Sequence, residues 1–353
     1  MKLEKRIEAF ANLGKLLRDY FISSEINYPL LEKWKPEIEK IIVSQKIYNQ
    51  WFTAENVTLA LKSWSKLLNV NNINNWLDPY KELFIENKKA VNVGVILAGN
   101  IPLVGMHDFV SVLISGNNFI GKLSSKDDQL LKLISSILCD IEPNFSSSIS
   151  FSENQLTNFD AIIATGSNNS ARYFEYYFGK YPCIIRKNRN SIAVLSGDES
   201  KEDLVNLSDD IFQYFGMGCR NVSKIYVPEN YNFDDFFLAM DHWNYLYQHN
   251  KYANNYDYHK SVYQMNRIGF FDNGFMLLKN DRQIYSPLSV IFYEYYSVIT
   301  KLAAEINENI NEIQCIVAKN NNFENTVSFG KSQSPNLWNY ADNVDTMKFL
   351  LKL

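Results

Sequence analysis

Cysteine and histidine are both scarce, with four of each in 353 residues. The cysteines (139, 183, 219 and 315) are widely spaced and form no C-x-x-C pair, so neither a disulfide framework nor a zinc ribbon is suggested. The histidines (107, 242, 249 and 259) form no H-x-x-x-H pair and lie near no cysteine, so no metal site is expected. Positive charge is also short: 35 Lys and Arg against 39 Asp and Glu give a net charge of −4 and a pI near 5.7. That balance argues against a nucleic-acid partner drawn by phosphate attraction. No stretch approaches the ~20 apolar residues of a membrane span, and neither G-x-G-x-x-G nor a Walker loop occurs.

What is present is ordinary globular chemistry, 46% hydrophobic and 21% charged, in a chain long enough for two domains. The start, MKLEKRIEAFANLGKLL, is basic but develops no long apolar core. Ile7, Phe10, Leu13, Leu17 and Tyr20 recur at helical spacing instead. This predicts an amphipathic helix of a mature protein rather than a signal peptide, and so a cytoplasmic protein. The sequons at Asn56, Asn206 and Asn221 then carry no weight.

Residues 1 to about 88 read as helix. From residue 90 the pattern alternates: AVNVGVILAGNIP, NNFIGKLSS, DAIIATGS and CIIRKNRNSIAVLSG read as strands, with MHDFVSVLIS, DQLLKLISSILCDI and SARYFEYYFG as helices between them. Ten to fifteen helical residues between strands mean crossover connections and a largely parallel sheet, an α/β fold. A second run follows, SKIYVP, GFMLLKN, PLSVIFYEYY and EIQCIVAK, interrupted by the aromatic stretch 231–261, read as helical. That stretch (Phe236, Phe237, Trp243, Tyr245, Tyr247) suits core and interface packing, with an acyl channel as the alternative.

Four segments could carry chemistry. In FGMGCRN, two glycines flank Met217, and Arg220 sets a cation beside the Cys219 thiol, which favours thiolate. A packing cysteine in a tight turn fits these residues equally. In AGNIP, Asn100 stands where a strand ends, and its amide can face a ligand or an oxyanion. It can also be a helix N-cap. In KLSSKD, Lys122 ends a strand among hydroxyl residues, suited to a ribose or phosphate or simply to solvent. In ATGS, Gly166 and Ser167 open a helix whose N–H groups suit a phosphate.

Taken in order, these segments resemble the aldehyde dehydrogenase superfamily. The resemblance implies a Rossmann-type cofactor domain, an α/β catalytic domain, and an active site in the cleft between them. AGNIP matches the family's oxyanion motif, so Asn100 inherits that role. KLSS matches its ribose motif, giving Lys122, Ser124 and Ser125. ATGS matches its phosphate turn, giving Gly166 and Ser167. Cys219 precedes SKIYVP as the family's nucleophile precedes its strand.

The departures bear on the reaction. Arg186, in RKNRNSIAVL, stands where hydrolysing members carry a Glu that activates water. An acyl-Cys219 is therefore expected to await another acceptor. Arg186 itself reads as a phosphate contact or a surface charge. Gln283 in QIYSPLSV replaces the Glu that meets the nicotinamide ribose, and Ser125, followed by Lys126, replaces the hydroxyl-binding Glu. The latter loss relieves repulsion against a 2′-phosphate and points to NADPH, with NADH as the alternative.

RIEAFANLGKLL, FGMGCRNVSKIYVP and FGKSQSPNLWNYADNVDTMKFL resemble the LuxC-type acyl-CoA reductase branch. That resemblance implies reduction of a fatty acyl-CoA or acyl-protein thioester to the aldehyde through an acyl-cysteine. An acyl-protein synthetase is the implied partner, and the protein is expected to be a homo-oligomer. A Cys-dependent acyltransferase and a non-catalytic acyl-transfer partner are the alternatives. The expected division is 1–193 (helical region and nucleotide domain), 194–324 (catalytic domain) and 325–353 (a segment packing back on the core or an interface).

Overall fold

The computed structural model describes residues 1–22, 28–85, 89–319, 323 and 326–353. It divides into two units, residues 1–187 with 336–353, and residues 188–335.

The first unit opens with four helices, α1 (Leu3–Ile22), α2 (Pro29–Tyr48), α3 (Ala54–Leu67) and α4 (Val70–Leu77). Phe10, Leu13, Leu16 and Leu17 line one face of α1 and are fully buried, the stripe that three- and four-residue spacing produces. Strands and helices then alternate: β1 (Asn92–Ile96), α5 (Met106–Ile114), β2 (Asn118–Lys122), α6 (Leu130–Ile141), β3 (Ile149–Phe151), β4 (Ala161–Thr165), α7 (Asn168–Phe178) and β5 (Cys183–Arg186). The five strands are parallel in the order β3-β2-β1-β4-β5. Strand order reverses at β1, so the loops after β1 and β4 flank the switch point where open sheets take ligands.

The second unit holds β6 (Asn190–Val194), α8 (Lys201–Phe212), β7 (Val222–Pro228), α9 (Asp234–Met240), α10 (Asn250–Met265), β8 (Phe271–Asp272), β9 (Leu277–Asn280), β10 (Val290–Tyr296), α11 (Ile299–Glu308), β11 (Ile313–Ala318) and β12 (Thr326–Val327). Its order is β12-β11-β6-β7-β10-β9-β8, parallel except between β8 and β9. The α/β expectation holds for both units. A capping box starts α8: Ser200 Oγ accepts from Asp203 N–H, and the Asp203 carboxylate accepts from Ser200 N–H. All six residues of β11 are buried, as a central parallel strand requires. The aromatic stretch is helical but broken by a 3₁₀ segment at Asp241–Gln248. Phe236 is in the core, whereas Tyr245 and Tyr247 are exposed.

The expected boundary at 193/194 falls at the end of β6, a strand of the second sheet, and the units divide at 187/188. The other, at 324/325, lies outside the described residues. Residues 336–353, with α12 (Thr346–Lys352), return to the first unit. There Tyr340 Oη accepts from Trp76 Nε1 at 2.7 Å, and the Leu350 carbonyl accepts from Asn117 Nδ2 at 3.0 Å. Among the described residues no helix is long and apolar enough to cross a membrane.

Arg186 corrects both of its readings. It is neither a surface charge nor placed for a phosphate, being 5% exposed with its guanidinium forked onto Asp108 at 2.6 and 2.9 Å. It also donates to Thr346 Oγ1 at 2.9 Å. One buried ion pair thus ties β5 and α5 to the returning tail. Removing one partner of such a pair strands the other in low dielectric. Arg186→Met is expected to cost about 3–5 kcal/mol, while Arg186→Met with Asp108→Leu recovers most of it, both read from urea unfolding.

Candidate active site

In the first unit, Asn100, Lys122, Ser124, Ser125, Gly166 and Ser167 all lie at or just beyond the carboxyl ends of three neighbouring strands, β1, β2 and β4. Asn100 is not a helix cap: α5 begins six residues later, with Gly105 in the cap position. The intervening turn forces Leu103 to φ +57, a conformation disfavoured for L-residues with a side chain. Buried polar groups hold that turn. Asp127 Oδ2 accepts from Leu103 N–H at 3.1 Å, and Asn49 Nδ2 donates to the carbonyls of Gly99 (3.5 Å) and Lys126 (3.3 Å). Gly99 has to be glycine, since a Cβ there would lie 2.6 Å from Ser124 Oγ. The loop bearing Asn100 and the loop 122–127 are thereby locked together.

Lys122 Nζ donates to the Glu153 carbonyl, and Ser124 Oγ accepts from Lys126 N–H at 3.2 Å. Ser125 and Lys126 are exposed. Ser167 caps α7, its Oγ accepting from Ser170 N–H at 3.2 Å. At Gly166 a Cβ would lie 2.8 Å from the Phe174 ring, which keeps the turn close to the helix.

In the second unit, Cys219 is exposed in the turn entering β7, and Cys315 is buried. Tyr214, Phe215 and Gly216 precede it at φ +55, +60 and +75, three consecutive left-handed residues of which only one is glycine. Strain of this kind persists only where its surroundings over-determine it. Asn221, 2% exposed, does much of that: Oδ1 accepts from Gly218 N–H at 2.8 Å. Its Nδ2 is shared among the carbonyls of Asp210 (3.1 Å), Ile211 (3.1 Å) and Gln213 (2.9 Å). Ser191 Oγ donates to the Cys219 carbonyl at 3.1 Å and lies 3.0 Å from Cys315 Sγ. The hydroxyl has one proton, so Cys315 is the donor in that second contact. Burial pushes the Cys315 thiol up, with Arg220 pulling the other way. Asp210, 1% exposed, accepts from Gly330 N–H (2.6 Å) and Ser332 N–H (2.8 Å), and burial pushes its carboxyl up to about 6.

Gln283 is exposed on the connection between β9 and β10. Both flanking carbonyls are held from β7: Arg282 O accepts from Lys224 Nζ (2.9 Å) and Ile284 O accepts from Ser223 Oγ (2.8 Å). Lys224 is fully buried and paired with Glu294 at 2.6 Å. Sequence reasoning missed Asn49, Asp127, Ser191, Asn221 and Lys224. Only polar residues inside otherwise apolar or turn-forming segments could have signalled them. Among the described residues no group of three His, Cys, Asp or Glu is placed to hold a metal ion.

The family model for acyl-CoA reductase (LuxC) matches residues 1–241, a span that includes Cys219. No curated protein matches the chain. Among solved structures it is similar to aldehyde dehydrogenase 21 from Physcomitrella patens, at 14% identity and a TM-score of 0.65 over 100% of this chain and 84% of that one. HpcC from Thermus thermophilus is similar at 11% identity and a TM-score of 0.64, covering 92% and 71%. An aldehyde dehydrogenase from Mycobacterium tuberculosis, solved with NAD+, gives 11% and 0.61, covering 90% and 73%. At such identities the likeness is one of fold.

Asp127 gives a test of the first unit's loops. Burial pushes its carboxyl up to about 7, above the ~4 of an unfolded chain. Its contribution to stability is therefore full below pH 4 and is lost as pH rises through 7. Asp127→Asn keeps an acceptor for Leu103 but removes the titration. It is expected to match wild type at pH 4 and to exceed it by ~2–4 kcal/mol at pH 8, measured by denaturant unfolding across that range.

Proposed function

Since this chain belongs to the acyl-CoA reductase (LuxC) family, we propose that it reduces a fatty acyl thioester to the aldehyde through an acyl-Cys219 intermediate. The activity is that of an oxidoreductase acting on aldehyde or acyl groups. The observation that carries the proposal is an exposed thiol in a turn whose unfavourable backbone is held by buried side chains. A cysteine needed only for packing requires no such support.

The donor set at the carboxyl edge of the first sheet fits a nicotinamide dinucleotide. Lys122 and the Ser124 and Ser125 hydroxyls suit ribose hydroxyls, and the amino end of α7 beyond Gly166 suits a diphosphate. Gln283 would meet the nicotinamide ribose. NADPH is favoured over NADH because the exposed pair after Ser124 is Ser125-Lys126, with no carboxylate to repel a 2′-phosphate. When bound, the reduced cofactor supplies the hydride that converts the acyl group to the aldehyde level.

The chain's own residues do the rest. The Cys219 thiolate bonds to the thioester carbonyl carbon, and the oxyanion is received by the Asn100 amide and the Cys219 N–H. As the oxyanion collapses, the bond to the CoA sulfur breaks and CoA leaves with the electron pair. After reduction the thioester carbon bears an oxyanion at the thiohemiacetal level; as it collapses, the bond to Cys219 breaks with its electron pair returning to the sulfur as thiolate, and the aldehyde departs. By the superfamily resemblance, Arg186 stands where hydrolysing members carry their water-activating Glu, and a guanidinium paired with Asp108 cannot act as such a base. The donor is a fatty acyl-CoA, or an acyl group carried by a synthetase. We further propose a cytoplasmic enzyme, in keeping with its four free cysteines, and, from the superfamily resemblance alone, a homo-oligomer.

The test is NADPH oxidation with a long-chain acyl-CoA. Cys219→Ala is expected to lower it at least ~10³-fold, and Asn100→Ala by ~10²–10³-fold. Oxidation that survives in Cys219→Ala overturns the covalent route. An acyl adduct on wild type without NADPH consumption points to an acyltransferase instead.

A further inference from the structure

We propose that Asn221 is the positioning residue of the nucleophile turn, fixing the Cys219 backbone so that its N–H meets the substrate oxyanion. This rests on the reading of Cys219 as the nucleophile.

One side-chain amide serves four main-chain groups around the turn. Three are the carbonyls of Asp210, Ile211 and Gln213, at the last turn of α8 and just past it. The fourth is the N–H of Gly218, the residue before Cys219. The Asn221 main chain closes the same turn, its N–H donating to the Gly218 carbonyl at 3.0 Å. Between the two ends lie the left-handed residues Tyr214, Phe215 and Gly216. The path from α8 to β7 is thus a strained loop whose two ends are joined through the buried Asn221 side chain.

On the far side of Cys219, Ser191 takes its carbonyl. The peptide plane that carries Cys219 N–H is held directly at its Gly218 carbonyl by Asn221 N–H, and the planes on either side are held at Gly218 N–H and at the Cys219 carbonyl, which leaves it little freedom. Capping the last carbonyls of α8 accounts for three of these contacts; the fourth, to Gly218 N–H beside the cysteine, is one that neither a cap nor a packing role requires. Asn221 also lies within the sequon Asn221-Val222-Ser223, but its amide is buried and fully engaged, so glycosylation is closed to the folded chain.

Two reactions of the same thiol separate positioning from folding. Alkylation by iodoacetamide needs only an accessible thiolate. Acylation by a long-chain acyl-CoA also needs the oxyanion donors. Both are followed by mass spectrometry on Cys219 without any nicotinamide cofactor, with Cys139, Cys183 and Cys315 as internal references. Asn221→Ala is expected to slow acylation about tenfold or more while changing alkylation by no more than about twofold. Ser191→Ala, a milder change, is expected to slow acylation about threefold to tenfold with alkylation preserved. It carries the test if Asn221→Ala does not fold. Unchanged acylation in the folded variants overturns the proposal. A parallel loss of both reactions, or new alkylation of Cys315, marks a melted turn and overturns it too. If wild type forms no acyl adduct while its Cys219 alkylates normally, the nucleophile reading falls first, and this one with it.

Discussion

Backbone groups in the loops that join parallel strands have no ladder partner, and burying them unpaired costs about 1–3 kcal/mol each. In this chain buried polar side chains supply the partners. Asn49 and Asp127 serve the loops after β1 and β2; Ser191 and Asn221 serve the turn before β7; Ser223 and Lys224 serve the connection into β10. All but Asp127, which holds Leu103 three residues from Asn100, satisfy main chain at or next to a proposed site residue. Polar satisfaction and site geometry are accordingly the same set of contacts.

The ion pairs follow a related logic. Replacing a buried pair with well-packed apolar residues is often neutral for stability, so Arg186–Asp108 and Lys224–Glu294 are better understood through what they orient. Arg186 spans β5, α5 and the start of α12 with one planar group, which a lysine could not do. Lys224 reaches a carbonyl, a carboxylate and, 4.6 Å away, the face of the Tyr226 ring.

The elements were legible because hydrophobic periodicity and turn residues act locally. Phe10, Leu13 and Leu17 declared α1, and the apolar runs of AIIAT and IQCIVA declared buried strands. The short β3, β8 and β12, of two or three residues, carry too little pattern to be seen. Polar residues were harder to read, since one letter serves several physical roles. Asn100 follows a strand and precedes a helix, as a cap does, yet the helix starts at Met106. Asn221 sits in a sequon and is a four-way clamp. Arg186 reads as a solvated charge because Asp108 lies 78 positions away in sequence. What decides such residues is a partner brought near by the fold, and that information is non-local.

The first unit is discontinuous, residues 1–187 being completed by 336–353. Its parallel sheet is finished at β5, but Trp76, Asn117 and Arg186 each have a partner in the last stretch: Tyr340, the Leu350 carbonyl and Thr346. During synthesis these three buried donors wait through the translation of the whole second unit. At ~5–20 residues per second, the nascent first unit spends many seconds with an open apolar seam along α4 and α5. That interval, rather than the stability of the finished molecule, is when a chaperone would have most to do.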